Sequence, residues 1–397
     1  MPPVAEPEPE RQQPQLGYLE YTELSPTECT GVAERITMER GRRVAHPVHD
    51  GRARPDLALR SCGFELFGAL PPAPPRRDAG GRSSSAKQMR NYQRDVEHFV
   101  RSKLEDPAHF TLRPDERLGL VMSYNTAVRS TDRRTFGGSD AIRRVHTDLT
   151  AESGPMVLRH VLAQVHQWPA EVADRGDCSW PNGHTNTNTN SRAAPLPSAQ
   201  QYTDAVLSGK RDCRYLFINL WRSMDTDHPV STWPLALLDP RSWSLTGTDH
   251  AIEHSKRAGA IFPQNYVMRA GTGSAAGSED TGYLNGQPRR QHEWFIYPRM
   301  EADEGIMFVN FDSDPTAPQF VFHGACDLET PPPPLQMGGG ISRRGSGIVK
   351  GQQAQGAEAQ ASPVRVSVEV RLLVIIERDG AESRVCGTKG LWPTIAS

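Results

Sequence analysis

The stretch RRVHTDLT (143–150) holds the most informative pair of side chains in the chain. Read as a strand, it sets Val145, Thr147 and Leu149 on one face and His146 and Asp148 on the other. Strand residues two apart project the same way, about 6.5–7 Å apart, so an imidazole and a carboxylate there can converge on one ion. On a helix the same pair would diverge by roughly 200°. Joined by a second imidazole, they make the facial set that holds non-haem Fe(II) and leaves positions open for a cosubstrate and dioxygen. The pair alone is common, and its plainer reading is two polar residues facing solvent on an edge strand.

A second pattern lies near the C-terminus. In VRVSVEVRLL (364–373) valines alternate with Arg365, Ser367, Glu369 and Arg371. An arginine gives a two-pronged, charge-assisted grip on a carboxylate, and a hydroxyl two residues on adds a third hydrogen bond. Holding the distal carboxylate of 2-oxoglutarate requires that combination. The competing reading is a half-buried strand with a solvated outer face. His323, in QFVFHGACD, is the last histidine of the chain and the candidate third ligand. The residues between it and Arg365 read as an inserted loop, whose closure cost grows only logarithmically with length. Packing beside Phe320 and Phe322 is the alternative for His323.

Elements able to position these residues are short and β-rich: 143–150, 214–222, 294–300, 305–313, 319–324 and 364–376. Two helices accompany them. Residues 89–104 place Tyr92, Val96, Phe99, Val100 and Leu104 at helical spacing, and 155–168 form the second. Many short strands with turn-rich connections predict a mainly β fold with flanking helices, built on a double-stranded β-helix (jelly-roll) core. The 34 glycines and 33 prolines cluster, which predicts a disordered N-terminus over 1–16. Residues 17–397 then form a single domain with flexible insertions at 70–87, 178–200, 269–291 and 328–363.

Bulk composition narrows the function classes. With 45 basic against 47 acidic residues, the chain has no basic face for nucleic acid. No apolar run approaches the ~18 residues needed to span a bilayer, and the N-terminal stretch lacks the apolar segment of a secretory signal. Six scattered cysteines without a CxxC pair read as reduced thiols. The expectation is a cytoplasmic protein with a small-molecule substrate, no nucleic-acid partner and no membrane.

Other motifs compete. HAIEH (250–254) fits an inverted zinc-metallopeptidase pattern, with His250 and His254 on one helical face and Glu253 as the acid. Its flanks lack an apolar stripe to seat a buried helix, and an exposed polar turn is the simpler reading. GTGSAAG (271–277) follows no clear strand and opens no helix, so it reads as a loop rather than a dinucleotide site. His292 reads as part of a cavity wall beside Trp294. Trp221, Trp233, Trp243 and Trp294 serve as core or substrate-cavity walls.

The stretches GFEL (63–66), VHTDLT (145–150), INLWR (218–222), WPLALLDPRS (233–242), HEWFIYPRM (292–300), DEGIMFVNFDS (303–313) and RVSVEVR (365–371) together resemble the AsaB-type fungal hydroxylase/desaturase family. That family is related to the gibberellin desaturase and to the small subunit of the cephalosporin methoxylase. The resemblance runs from about Tyr18 to Ile376. It implies a divergent Fe(II)/2-oxoglutarate oxygenase, a hydroxylase or desaturase of secondary metabolites. By resemblance, His146, Asp148 and His323 would hold iron, and Arg365 with Ser367 would hold 2-oxoglutarate. Asn219 and Arg222, in the N-x-W-R motif, would touch cosubstrate or substrate, with Trp294 on the substrate side. A metal-independent cyclase or metabolite-binding protein on the same scaffold is the alternative.

Overall fold

The computed structural model describes residues 15–22, 41–74, 86–131, 139–165, 204, 206–208, 212–243, 250–254, 264–269, 283–284, 287–288, 292–328 and 365–378. Residues 1–14, 178–200 and 329–363, most of 70–87 and 269–291, and the helix expected at 166–168 lie outside the described residues.

The chain begins with strands β1 (Gln15–Thr22) and β2 (Gly41–Asp50), a single helical turn α1 (Leu59–Cys62) and β3 (Phe64–Phe67). Helix α2 (Ala86–Glu105) and the long strand β4 (Glu116–Ser130) follow, then α3 (Ser153–Val165), β5 (Cys213–Ser223) and β6 (Leu235–Leu238). Two hairpins come next, β7 (His250–His254) with β8 (Gln264–Met268) and β9 (Tyr283–Leu284) with β10 (Gln287–Pro288). The remainder is β11 (Trp294–Ile296), β12 (Gly305–Asp312), β13 (His323–Ala325), β14 (Asp327–Leu328) and β15 (Val366–Arg378).

Two sheets carry the fold. One has the order β3-β12-β5-β15-β4, antiparallel throughout. The other runs β13-β6-β11-β2-β1-β14, with β11 and β2 parallel. The architecture is the mainly β jelly roll with flanking helices that the strand pattern predicts.

Period-two patterning explains how β15, an interior strand of its sheet, is buried on both faces. Val366, Val368, Val370 and Leu372 face a core shared with α2, which offers Tyr92, Val96, Val100 and Leu104 one turn apart. Each side chain buried there contributes roughly 1.5–3 kcal/mol. The opposite, inner face of this sheet serves two further cores. Trp221, Ile306 and Phe308 pack with Leu235, Leu237 and Phe295. Phe217, Phe311 and Leu373 pack with Val145, Leu149 and the α3 residues Val157, Leu158 and Val161. Asn219 lies between Trp221 and Phe217 on β5, where the two cores meet.

Four expectations are revised. Residues 143–150 are extended but make only single bridges, from Arg144 to Glu20 and from His146 to Val267 and His323. Each neighbour takes one or two backbone bonds, so no ladder develops. The strand expected at 294–300 stops at Ile296, before Pro298, which has no N–H to donate, and Arg299 at φ 51. HAIEH is the strand β7 rather than a helix or a turn, so the helical face that a peptidase site needs is not formed. The polar face of β15 is not solvated either: Arg365, Ser367, Glu369 and Arg371 are all buried. Among the described residues no helix is long and apolar enough to cross a membrane.

Candidate metal centre

The extended segment 144–147 is pinned on three sides. His146 and His323 exchange both backbone hydrogen bonds (3.0 and 2.9 Å), Val145 N–H donates to Glu20, and Thr147 N–H donates to Tyr266 on β8. The close approach to β13 depends on Gly324: a Cβ there would stand 3.1 Å from the carbonyl oxygen of Arg143. Exchanging backbone bonds places the two imidazoles side by side, with ring centroids 4.5 Å apart. One donor atom each from His146, Asp148 and His323 then lies within 4.8 Å of the others, and all three residues are buried.

Local hydrogen bonds select the tautomers. His146 Nδ1 is 2.9 Å from the carbonyl of Arg144, and His323 Nδ1 is 3.0 Å from that of Val321. A carbonyl oxygen only accepts, so each Nδ1 carries a hydrogen, and Nε2 is the nitrogen left to meet a cation. Burial, joined by repulsion from His146, pushes the His323 imidazole down to about 3 against the pull of Asp148. It is therefore neutral, the form that coordinates metal.

Asp148 is held by three donors. Asn219 and Asn310 each donate to Oδ2 at 3.0 Å, and Arg371 Nη2 lies 3.2 Å from Oδ1. His146 Nε2 faces Oδ1 at 3.6 Å. Burial pushes this carboxyl up, but the guanidinium of Arg371, the strongest opposing influence, keeps it well below the usual carboxylate range. Arg371 also pairs with Glu369 at 2.9 Å.

Behind the ligand segment, the buried Glu253 of HAIEH makes a two-pronged ion pair with the half-buried Arg144, at 2.6 and 2.8 Å, and accepts from Asn265. The same Arg144 supplies the carbonyl that orients His146.

The other residues singled out from the sequence divide between the two faces of the sheet and the opposite sheet. Arg365 lines one crevice with His146 and His323. It donates Nη1 to the Trp233 carbonyl at 2.5 Å and lies 5.1 Å over the Trp221 ring. Trp233 adopts φ 50, a left-handed conformation uncommon for a non-glycine residue. Ser367 shares the face of Arg365, and its buried hydroxyl has no hydrogen-bond partner among the described residues. Asn219 contacts Asp148, as above. Arg222 has the parity of Leu216, Ile218 and Leu220, points away from the triad toward α2, and donates to the carbonyls of Pro71 and Ala302. Trp294 is fully buried in the core that also holds Val145 and Leu149, donating to the Tyr21 hydroxyl at 3.3 Å beside His46 and His292.

The sequence pattern assigns Asn310, Arg371 and Glu253 no part in this centre, Glu253 being read there only as the acid of a peptidase motif. Asn310 leaves a signal of its own, an amide interrupting the apolar run IMFV–F of β12.

The donor set fits a divalent metal, with two imidazoles and one carboxylate whose second oxygen is tied back. The unpartnered Ser367 hydroxyl near Arg365 fits the carboxylate of a bound acid.

Residues 184–337, less than half of the chain, match a family model described as "YDMC: Oxidoreductase/YMDC permease-like domain". That span contains His323 but not His146, Asp148 or Arg365. No curated protein matches. Among solved structures, one described as iron and alpha-ketoglutarate-dependent endoperoxidase NvfI with different conformation is 17% identical. The match covers 91% of this chain and 98% of that one at a TM-score of 0.51. A second structure of the same endoperoxidase is 16% identical, with 91% and 96% coverage and a TM-score of 0.49. The likeness at 0.51 is one of fold, in keeping with the jelly roll described above.

Proposed function

We propose that this chain is an Fe(II)/2-oxoglutarate-dependent oxygenase that hydroxylates or desaturates a small-molecule secondary metabolite. The observation that carries the reading is the convergence of His146, Asp148 and His323, each imidazole with Nδ1 tied to a backbone carbonyl and Nε2 left as the ligand nitrogen. The iron and alpha-ketoglutarate dependence of the endoperoxidase with a similar fold agrees with it.

In this reading His146, Asp148 and His323 hold the iron, which with 2-oxoglutarate and dioxygen supplies the power to remove hydrogen from a C–H bond. Arg365 grips the distal carboxylate of 2-oxoglutarate, its guanidinium aimed by the Trp233 carbonyl and Ser367 adding a hydrogen bond. Asn219, Asn310 and Arg371 keep Asp148 oriented so that Oδ1 faces the two imidazoles. Trp221 and Phe308 wall the centre with apolar surface and exclude water.

Purified protein supplied with Fe(II) and 2-oxoglutarate is expected to release succinate, and His146→Ala to abolish that release. Equal turnover by the variant would remove His146 from the site. One observation favours a second reading, a metal-free cyclase or metabolite-binding protein: Asp148 already has a cationic partner in Arg371. Metal analysis alongside the succinate assay separates the two.

A further inference from the structure

Strand β4 is the sheet edge beside β15, and its Arg129 is the direct cross-strand partner of Ser367. Residues opposite one another on antiparallel strands share a face. Arg129 thus stands on the inner face with Arg365 and Ser367, and it lines the same crevice as His146 and His323.

The guanidiniums of this crevice differ in their partners. Arg371 is neutralised by Asp148 and Glu369. Among the described residues Arg129 donates only to uncharged oxygens, Ser139 Oγ at 2.9 Å and the Asp140 carbonyl at 3.4 Å. Arg365 donates to the carbonyl of Trp233. Among the described residues, neither Arg129 nor Arg365 has a carboxylate bonded to it. Burial pushes the Arg365 guanidinium down to about 9, and the charge of Arg129 adds to this against the opposing pull of Glu369. Two like charges lining one partly desolvated crevice attract anions to it. The proposed cosubstrate brings a single distal carboxylate, which Arg365 and Ser367 suffice to hold.

We propose that Arg129 receives a second carboxylate, that of the substrate, so that this site acts on a small organic acid. The proposal rests on the oxygenase reading for its chemistry, while the second anion site stands on the geometry of Arg129 alone.

The test uses the full chain with Mn(II), and trifluoroacetate as a small carboxylate probe followed by its fluorine line width. Without 2-oxoglutarate, the protein is expected to broaden the probe line, and Arg129→Gln to lose part of that broadening. At saturating 2-oxoglutarate a residual broadening should persist in the wild type and in Arg129→Lys and vanish in Arg129→Gln. The affinity of Arg129→Gln for 2-oxoglutarate should be unchanged. A tenfold loss of that affinity would instead assign both guanidiniums to one carboxylate and overturn the proposal. So would equal broadening by wild type and Arg129→Gln in the absence of 2-oxoglutarate. If 2-oxoglutarate displaces no probe at all, the oxygenase reading is what fails, and the Arg129→Gln comparison without it still decides the anion site.

Discussion

Arg371 on β15 places Nη2 3.1 Å from Oδ2 of Asp148, an ion pair between two residues that are both buried. A cation thus already occupies one side of the carboxylate that faces the two imidazoles. Removing one member of a buried pair leaves an uncompensated charge, at a cost of about 3–5 kcal/mol. Arg371→Met is expected to lower the urea midpoint of the metal-free protein accordingly. A divalent cation bound by His146, Asp148 and His323 would replace the missing charge. Mn(II) at about 100 times its dissociation constant should restore about 2.7 kcal/mol. Failure of Mn(II) to raise the midpoint of either protein would count against metal binding at these three residues.

Ser367 presents the opposite situation, a buried hydroxyl without a partner among the described residues. Deleting it removes no hydrogen bond to a described residue, so Ser367→Ala is expected to leave stability unchanged or slightly higher. If the hydroxyl meets the distal carboxylate of 2-oxoglutarate, the variant loses about 1–1.5 kcal/mol of binding, and KM for 2-oxoglutarate rises roughly tenfold. A destabilised variant with unchanged KM would make Ser367 a packing residue instead.

The parts that sequence made legible are those encoded locally. The alternation of 145–149 separates His146 and Asp148 from their apolar neighbours, and the strand period of 364–372 separates Arg365 and Ser367 from the valines. Both patterns hold in three dimensions, and the jelly roll follows from many such short strands. What escaped is long-range. Asn310 is 162 residues from Asp148, and Arg371 is 223 residues away. No local period links either to the carboxylate it holds. HAIEH escaped for another reason: five residues fit either period, and pairing with β8 decided for a strand. Arg222 was placed with Asn219 by motif, yet odd and even residues of β5 look to opposite sides of the sheet.

A pH dependence follows from His46, which is fully buried with neither ring nitrogen hydrogen-bonded among the described residues. Burial, and then repulsion from His292, pushes its pKa down from 6.5 to about 3. Between those values the unfolded chain binds a proton that the folded one refuses. Stability from this group is therefore complete above about pH 6.5 and lost as pH falls toward 3, at up to about 1.4 kcal/mol per pH unit. His323 acts in the same direction. Urea midpoints between about pH 4 and 7 should fall more steeply with acid for the wild type than for His46→Leu. Parallel curves would show that His46 finds a partner on protonation.

Glu253 offers a test of how the ligand segment is tuned from behind. Its two-pronged pair fixes the Arg144 side chain, and the Arg144 carbonyl fixes the His146 tautomer. Loosening the clamp lets that carbonyl shift and weakens the orientation of Nε2. Changes to groups that orient a metal ligand typically cost 10–100-fold in metal affinity. Glu253→Gln, which keeps the shape but loses the charge, is expected to bind Mn(II) at least about tenfold more weakly by equilibrium dialysis. Glu253→Asp, which keeps the charge, should recover part of that loss. A purely structural ion pair gives a different result: a lower unfolding midpoint for Glu253→Gln with Mn(II) affinity unchanged once the folded fraction is taken into account. The same comparison bears on HAIEH, because a glutamate serving as a peptidase acid would lose zinc-dependent cleavage in Glu253→Gln, whereas the clamp predicts a change in the affinity of a centre built from His146, Asp148 and His323.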